Sequence, residues 1–176
     1  MNNVKKYTVS IYSENNLGLL NRISAIFLKR HLSIDSITSS ESEIKDIFRF
    51  VIVVKVDDVL IKKVITQIEK QIEVIAAYYH TDEETIYLET SLFKLKSSSL
   101  FEEKNIQSII KNNHANIVTV TTDYFVIEKT GRREETEKLY DELEEYGILQ
   151  FVRSGRISVT KEPMKITKIL ELNSKQ

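Results

Sequence analysis

Glu14-Asn15-Asn16-Leu17-Gly18-Leu19 is the segment of this 176-residue sequence whose residue types and order come closest to doing chemistry. It follows Tyr7, Val9 and Ile11, an alternation with the period of a strand. It precedes Leu20, Ile23, Ile26 and Phe27, which repeat as one apolar face of a helix over residues 17–30. A helix start presents unpaired backbone N–H groups and the positive end of the helix dipole, so an anion settles there. The α-carboxylate of a free amino acid is such an anion. Gly18 carries no side chain where ligand and backbone would meet. Asn15 has a carboxamide that both donates and accepts, suited to an ammonium or a carboxylate. Leu17, Leu19 and Ile34 would offer apolar surface to an aliphatic side chain. The same residues also fit a plainer role, with Asn15 and Asn16 capping the helix and Gly18 an ordinary first-turn glycine. On residue types alone the plainer role is the stronger.

Other chemistries find little support. His31, His80 and His114 are far apart in sequence, and none has a second ligand at metal spacing. Cysteine is absent, which removes disulfides, thiolate metal sites and a cysteine nucleophile, and fits a reducing compartment. The acidic run from Glu134 to Glu145 reads as the solvated face of a helix, with Glu134 and Lys138 placed to pair at i,i+4. No phosphate-binding loop, dinucleotide fingerprint or hydrolase elbow occurs. Twenty-five basic and 26 acidic residues leave a formal charge of −1, without the basic excess of a nucleic-acid binder. The longest apolar run, Phe50 to Val54, is far too short to span a bilayer, and the N-terminus has no apolar leader core. A cytoplasmic protein without a catalytic or metal constellation is the expectation.

The elements that must position the loop fall into two similar halves. After the first strand and helix come a β-prone run at residues 33–39, a β-branched and aromatic strand at 46–56, and a helix. That helix carries Ile61, Ile65, Ile68 and Ile72 on one face and is preceded by Asp57-Asp58 as turn and cap. A strand at 74–79 closes the half. The second half repeats the order, with a strand at 85–95, a helix at 100–113, strands at 117–121 and 124–129, and a helix at 132–146. Gly147 sits at the C′ position of that last helix. Strands at 148–152 and 156–160 finish the sheet around a Ser154-Gly155 bend. Beyond Pro163, the residues Met164, Ile166, Ile169 and Leu170 suggest a short amphipathic helix. The predicted fold class is α+β, two tandem ferredoxin-like βαββαβ units over residues 1–80 and 84–176.

The segment from Glu14 to Ile23, with the strand Tyr7-Thr8-Val9-Ser10-Ile11-Tyr12 before it, resembles the opening of an ACT domain. Ser33-Ile34-Asp35-Ser36-Ile37 follows the helix as it does in the regulatory (small) subunit of acetolactate synthase. Phe151-Val152-Arg153-Ser154-Gly155 is similar to a segment near the end of that subunit, and the resemblance extends over nearly the whole chain. It implies a non-catalytic regulatory subunit that binds and activates a separate catalytic subunit. Thiamine diphosphate, Mg and FAD would reside in that partner. It also implies feedback control by valine or another branched-chain amino acid, with ACT domains pairing as a homodimer and the effector at the pair interface. Transferred residue by residue, Asn15, Gly18, Leu19, Ser33 and Ile34 would be effector contacts. Arg153 and Arg156 would be candidates for contact with the catalytic partner, or else surface residues of an edge strand.

One departure bears on sensing. The family pattern after the helix is Gly-Tyr-Asn-Ile, whereas this chain reads His31-Leu32-Ser33-Ile34. The resemblance makes the asparagine an effector contact, and Ser33 is shorter and lacks an amide. Losing one polar partner costs roughly 1–3 kcal/mol, or about tenfold to a hundredfold in affinity. Weakened or altered valine sensitivity is therefore expected. His31 replaces a C-cap glycine and tolerates the left-handed region better than most residues. A stand-alone ACT-type metabolite sensor with another target is the alternative. A ferredoxin-like enzyme is disfavoured, since no acid–base or nucleophile set is present.

Overall fold

The computed structural model describes residues 4–102 and 104–162. Two compact units divide the chain between Tyr87 and Leu88, and the segment from Arg156 onward belongs to the first unit.

The first unit runs β1 (Val4–Glu14), α1 (Leu19–Leu28), β2 (Ile34–Glu41), β3 (Ile47–Asp57), α2 (Asp58–Glu69) and β4 (Val74–Thr81). Its sheet is ordered β2-β3-β1-β4, with every neighbouring pair antiparallel. That is the expected split-βαβ arrangement, with β1 and β3 central and β2 and β4 at the margins. Tyr7, Val9 and Ile11 point into one core with Ile52 and Val54 of β3 and the inner faces of both helices. Asp57 caps α2, accepting from the N–H groups of Val59 at 2.9 Å and Leu60 at 2.8 Å.

Two core expectations shift. Helix α1 begins at Leu19, so Leu19, Ile23, Ile26 and Phe27 form its buried stripe while Leu20, one position round, is 43% exposed. Helix α2 ends at Glu69, so Ile72 lies beyond it and is exposed, and Val64 completes the buried face instead.

The second unit repeats the plan with β5 (Thr85–Lys96), α3 (Ser97–Glu102), α4 (Lys104–Asn112), β6 (Asn116–Val120), β7 (Tyr124–Gly131), α5 (Arg133–Glu144) and β8 (Ile148–Arg153). The order β6-β7-β5-β8 is the same permutation of strands. Residues Ser97–Glu102 and Lys104–Asn112 are helical where a helix at 100–113 is expected, with Ile106 and Ile110 buried under the sheet. Leu139 and Leu143 of α5 pack with Phe93, Leu95, Phe125 and Ile127. Each such side chain, fully buried, contributes about 1.5–3 kcal/mol. Gly147 follows α5 with φ of 73°, as its C′ placement requires. Lys138 pairs with Glu142 at 3.6 Å, and Arg133 with Glu137 at 2.8 Å, in place of the Glu134–Lys138 pair.

The last described strand, β9 (Ile157–Thr160), is the fifth strand of the second sheet and lies off the β6-β7-β5-β8 path. It pairs with β5, and the backbone bond from Lys161 N–H to the Glu84 carbonyl (2.9 Å) holds it beside the start of that strand. On the helix-free face of β1, Thr8 accepts from Arg156, and Arg49 bridges Ser10 to the Ser158 carbonyl, while Tyr12 packs with Ala76, Ile44, Ile47 and Tyr78, so all three are buried. The tail helix suggested by Met164, Ile166, Ile169 and Leu170 lies outside the described residues.

Candidate functional site

The loop between β1 and α1 is a tight turn closed by the Leu19 N–H to the Asn16 carbonyl at 3.3 Å. Gly18 is the N-cap residue of α1, with φ of 87° and ψ of −7°, and its carbonyl accepts from Arg22 N–H at 3.2 Å. A Cβ on Gly18 would meet nothing within 4 Å. The glycine is therefore required by its left-handed φ and not by crowding.

No side chain caps α1, and no acidic residue occupies its first turn. Asn15 and Asn16 thus leave unfilled the capping role their types suggest. By contrast, α2 has Asp57 as cap and Asp58 in its first turn, and α5 has Glu134 and Glu135 in its first turn. Apart from the Leu19 N–H, which the Asn16 carbonyl takes, the start of α1 keeps its positive dipole end with no acidic residue in its first turn.

Asn15, Asn16, Leu17 and Gly18 are all exposed, with Leu17 at 98%. Leu19 differs from the expectation of an apolar contact surface, because its side chain fills the core and only its backbone reaches the loop. Ser33 is exposed and Ile34 half-buried at the start of β2. Ile34 shares a shallow depression of about 370 Å³ with Asn21, Ser24, Ala25, Leu28 and Leu32, formed by α1 and the entry to β2. Asn15 and Gly18 do not line it. His31 has φ of 54°, the left-handed conformation its position calls for. Arg22 on α1 pairs with Glu73 at 2.5 Å. Glu73's own backbone N–H, and then this guanidinium, hold its carboxyl below the usual range.

The two arginines singled out for partner contact are engaged inside the chain. Arg156 has no exposed side-chain surface, donates to Thr8 Oγ1 at 2.8 Å and pairs with Asp82 at 2.5 Å. Arg153, 16% exposed, lies between Glu89 (3.8 Å) and Glu137 (3.5 Å). The reason is charge: each arginine has a carboxylate from a distant part of its own unit waiting where the backbone delivers it. Both Arg156 Nε and Nη2 are buried without a hydrogen-bond partner.

No local pattern marks another contact, in which the Tyr7 hydroxyl donates to Asp58 across 51 positions of sequence. Lys5 Nζ also reaches Asp58, at 2.9 Å. Burial, and then Asp58, push the Tyr7 hydroxyl far above its ordinary pKa, while donation from Tyr7 and then Lys5 holds Asp58 low. Among the described residues, no group of three or more His, Asp or Glu is placed to hold a metal, and no helix is long and apolar enough to cross a membrane.

Residues 9–76 match the family model of an AHAS small subunit-like ACT domain, and residues 88–162 match that of the small subunit of acetolactate synthase. The acetolactate synthase small subunit of Mycolicibacterium smegmatis is 32% identical over 165 residues, which cover 94% of this chain and 96% of that one. The chain belongs to the acetolactate synthase small-subunit family.

The acetolactate synthase small subunit of Bacillus subtilis is 32% identical over 85% of this chain and 87% of its own length. The crystal structure of the Thermotoga maritima small subunit superposes with a TM-score of 0.81 at 25% identity, covering 91% of this chain and 99% of that one. As a member of this family the chain is a non-catalytic regulatory subunit with an ACT domain, and its partner is a catalytic subunit of acetolactate synthase.

Proposed function

We propose that this small subunit docks on its thiamine-diphosphate-dependent catalytic partner, raises that partner's activity, and transmits feedback by a branched-chain amino acid. The observation that carries the reading is the start of α1, where Gly18 turns the chain in a left-handed conformation and neither a cap nor an acidic side chain occupies the first turn. A carboxylate placed there meets backbone donors and the positive dipole end. The effector's aliphatic side chain would lie toward Ile34, and Asn15 would hold its ammonium. Pairing of two ACT domains would enclose the ligand, and the exposed Leu17, Leu20, Leu28 and Ile37 on α1, its loop and the margin strand β2 suit such a pairing.

In this reading thiamine diphosphate, Mg and FAD belong to the catalytic partner, and the complex works in the cytoplasm. Docking favours an active conformation of the partner, and the effector reverses that preference. Such coupling is typically worth about 1–3 kcal/mol and acts reciprocally on the two binding equilibria.

Co-expression with the catalytic subunit from the same source, followed by pull-down and assay with and without valine, leucine and isoleucine, tests the reading. Association with a raised rate that an amino acid lowers is expected. Absence of association, or a rate the small subunit leaves unchanged, would overturn it.

A further inference from the structure

Strand β6 stands at one margin of the second unit's sheet, and among the described residues β7 is its one strand neighbour. All five of its residues are exposed, with Ile117 at 47%, Val118 at 59% and Val120 at 44%. A margin strand presents backbone N–H and C=O groups that no neighbour takes, and natural sheets guard such an edge with charge, proline or a bulge. The strands at the ends of the two four-strand paths differ in this respect. Strand β2 carries Asp35 and Glu41, β4 carries His80, and β8 carries Arg153. Strand β6 reads Asn-Ile-Val-Thr-Val, without an ionisable side chain.

The neutral stretch is longer than the strand. From Ala115 to Thr122 there is no charged residue, proline or glycine, and Ile117 to Thr122 are all β-branched. Such a run favours extended backbone and pairs readily with others of its kind. Its one guard is a bulge, where the ladder to β7 skips Val118. Charge narrows what can lie beside it. A charged strand would find no counter-charge on β6. Two identical antiparallel strands about a two-fold axis set each residue opposite another of the same sequence, so a charged strand risks meeting its own sign. A two-fold centred on Val118 sets Val118 opposite itself, Ile117 opposite Thr119 and Asn116 opposite Val120, with every pair neutral.

We infer that β6 pairs with β6 of a second copy of this chain, antiparallel and centred on Val118, so that two second units join their sheets edge to edge. The contact closes on itself, because each copy uses the same edge once. It gives the outward backbone groups of β6 partners and brings the two Val118 side chains together. This is a self-association surface of the second unit. The residues assigned above to ACT pairing and to the effector all belong to the first unit, so neither of those readings stands or falls with it.

The absence of cysteine makes the test direct. Directly opposite residues of an antiparallel pair have Cβ atoms about 4.5–5.5 Å apart, close to disulfide reach. Mild oxidation of the full-length Val118→Cys chain should therefore yield a disulfide-linked pair on a non-reducing gel. Ile72→Cys, at a first-unit position 98% exposed, should stay mostly unlinked under the same conditions. In the Val118→Cys background, Asn116→Lys/Val120→Lys sets lysine opposite lysine on both sides of the axis and should slow linking about tenfold. Asn116→Lys/Val120→Glu sets opposite charges there and should restore it, which a misfolded variant would not do. Linking of Val118→Cys no faster than that of Ile72→Cys, or equal in the two charge variants, would overturn the inference. So would a Val118→Cys thiol that reacts freely with a maleimide in the chain alone and is masked only by the catalytic subunit, because the occupant would then be a strand of that partner.

Discussion

The guanidinium of Arg156 lies over the ring of Tyr87, 3.5 Å from its centroid, while its Nη1 pairs with Asp82 at 2.5 Å. Arg156 also donates to Thr8 at the centre of β1, and Arg49 of β3 donates to the Ser158 carbonyl at 2.7 Å. Through these contacts the stretch 156–160 is fastened to the helix-free face of the first unit's sheet. Arg156, for which the sequence leaves open a partner contact or an edge-strand surface position, is buried in the first unit, whereas Phe151–Gly155 belongs to the second.

Arg156→Ala should therefore destabilise the first unit. Removing one partner of a buried ion pair costs about 3–5 kcal/mol, and the 34% exposure of Asp82 allows it to rehydrate, which points to the lower end of that range. Urea unfolding of Arg156→Ala, Asp82→Asn and the double variant would measure the coupling. A cost for Arg156→Ala no greater than a surface substitution, about 0.5 kcal/mol, would contradict this account.

Gly18→Ala should cost about 1–2 kcal/mol, the penalty of a Cβ in a left-handed conformation, because the space around that Cβ is open. Gly18→Asn should cost less, since asparagine visits that region more readily. Equal unfolding midpoints for the two variants would show that the loop relaxes.

Ser33→Asn should strengthen binding of a branched-chain amino acid. The added amide stands where the family places its asparagine, and one regained polar partner is worth roughly 1–3 kcal/mol, or about tenfold to a hundredfold in Kd. Titration calorimetry on the parent and variant small subunits with valine checks this. Micromolar affinity in the parent would mean that Ser33 costs nothing.

Acid should weaken the fold. Asp58 is held low first by the Tyr7 hydroxyl, Glu84 first by the Thr81 backbone N–H, and Glu137 first by Arg133. Since these folded-state values lie below the unfolded ones, the unfolded chain binds more protons and stability rises with pH. Their contribution is complete above about pH 5 and disappears as pH falls through the depressed values. Unfolding free energy measured across pH 2–7 should show that limb, and Tyr7→Phe should make it shallower. An unchanged slope in Tyr7→Phe would separate Asp58 from the effect.

Much of this was legible in the sequence because it is local. The alternation of Tyr7, Val9 and Ile11, the spacing of Ile61, Ile65 and Ile68, and the caps at Asp57 and Gly147 each report a backbone period or a single φ. Even His31 was readable, because a helix exit asks for a left-handed residue and histidine tolerates one. The strand-to-helix turn at Gly18 is legible too, but the buried stripe of α1 starts at Leu19 and not at Leu20, and one position turns a side chain about 100° from surface to core.

What the tertiary structure alone decided is long-range. Nothing near Arg156 distinguishes it from a surface arginine. It is buried because β9 returns to the start of β5 and meets Thr8, Asp82 and Tyr87, residues some seventy to 150 positions earlier. Tyr7 and Asp58 meet in the same way. Sequence period says which face of an element is apolar, so it fixed the elements and the two-unit plan. Which polar face is covered, and by what, depends on where distant chain is delivered, and only the fold determines that.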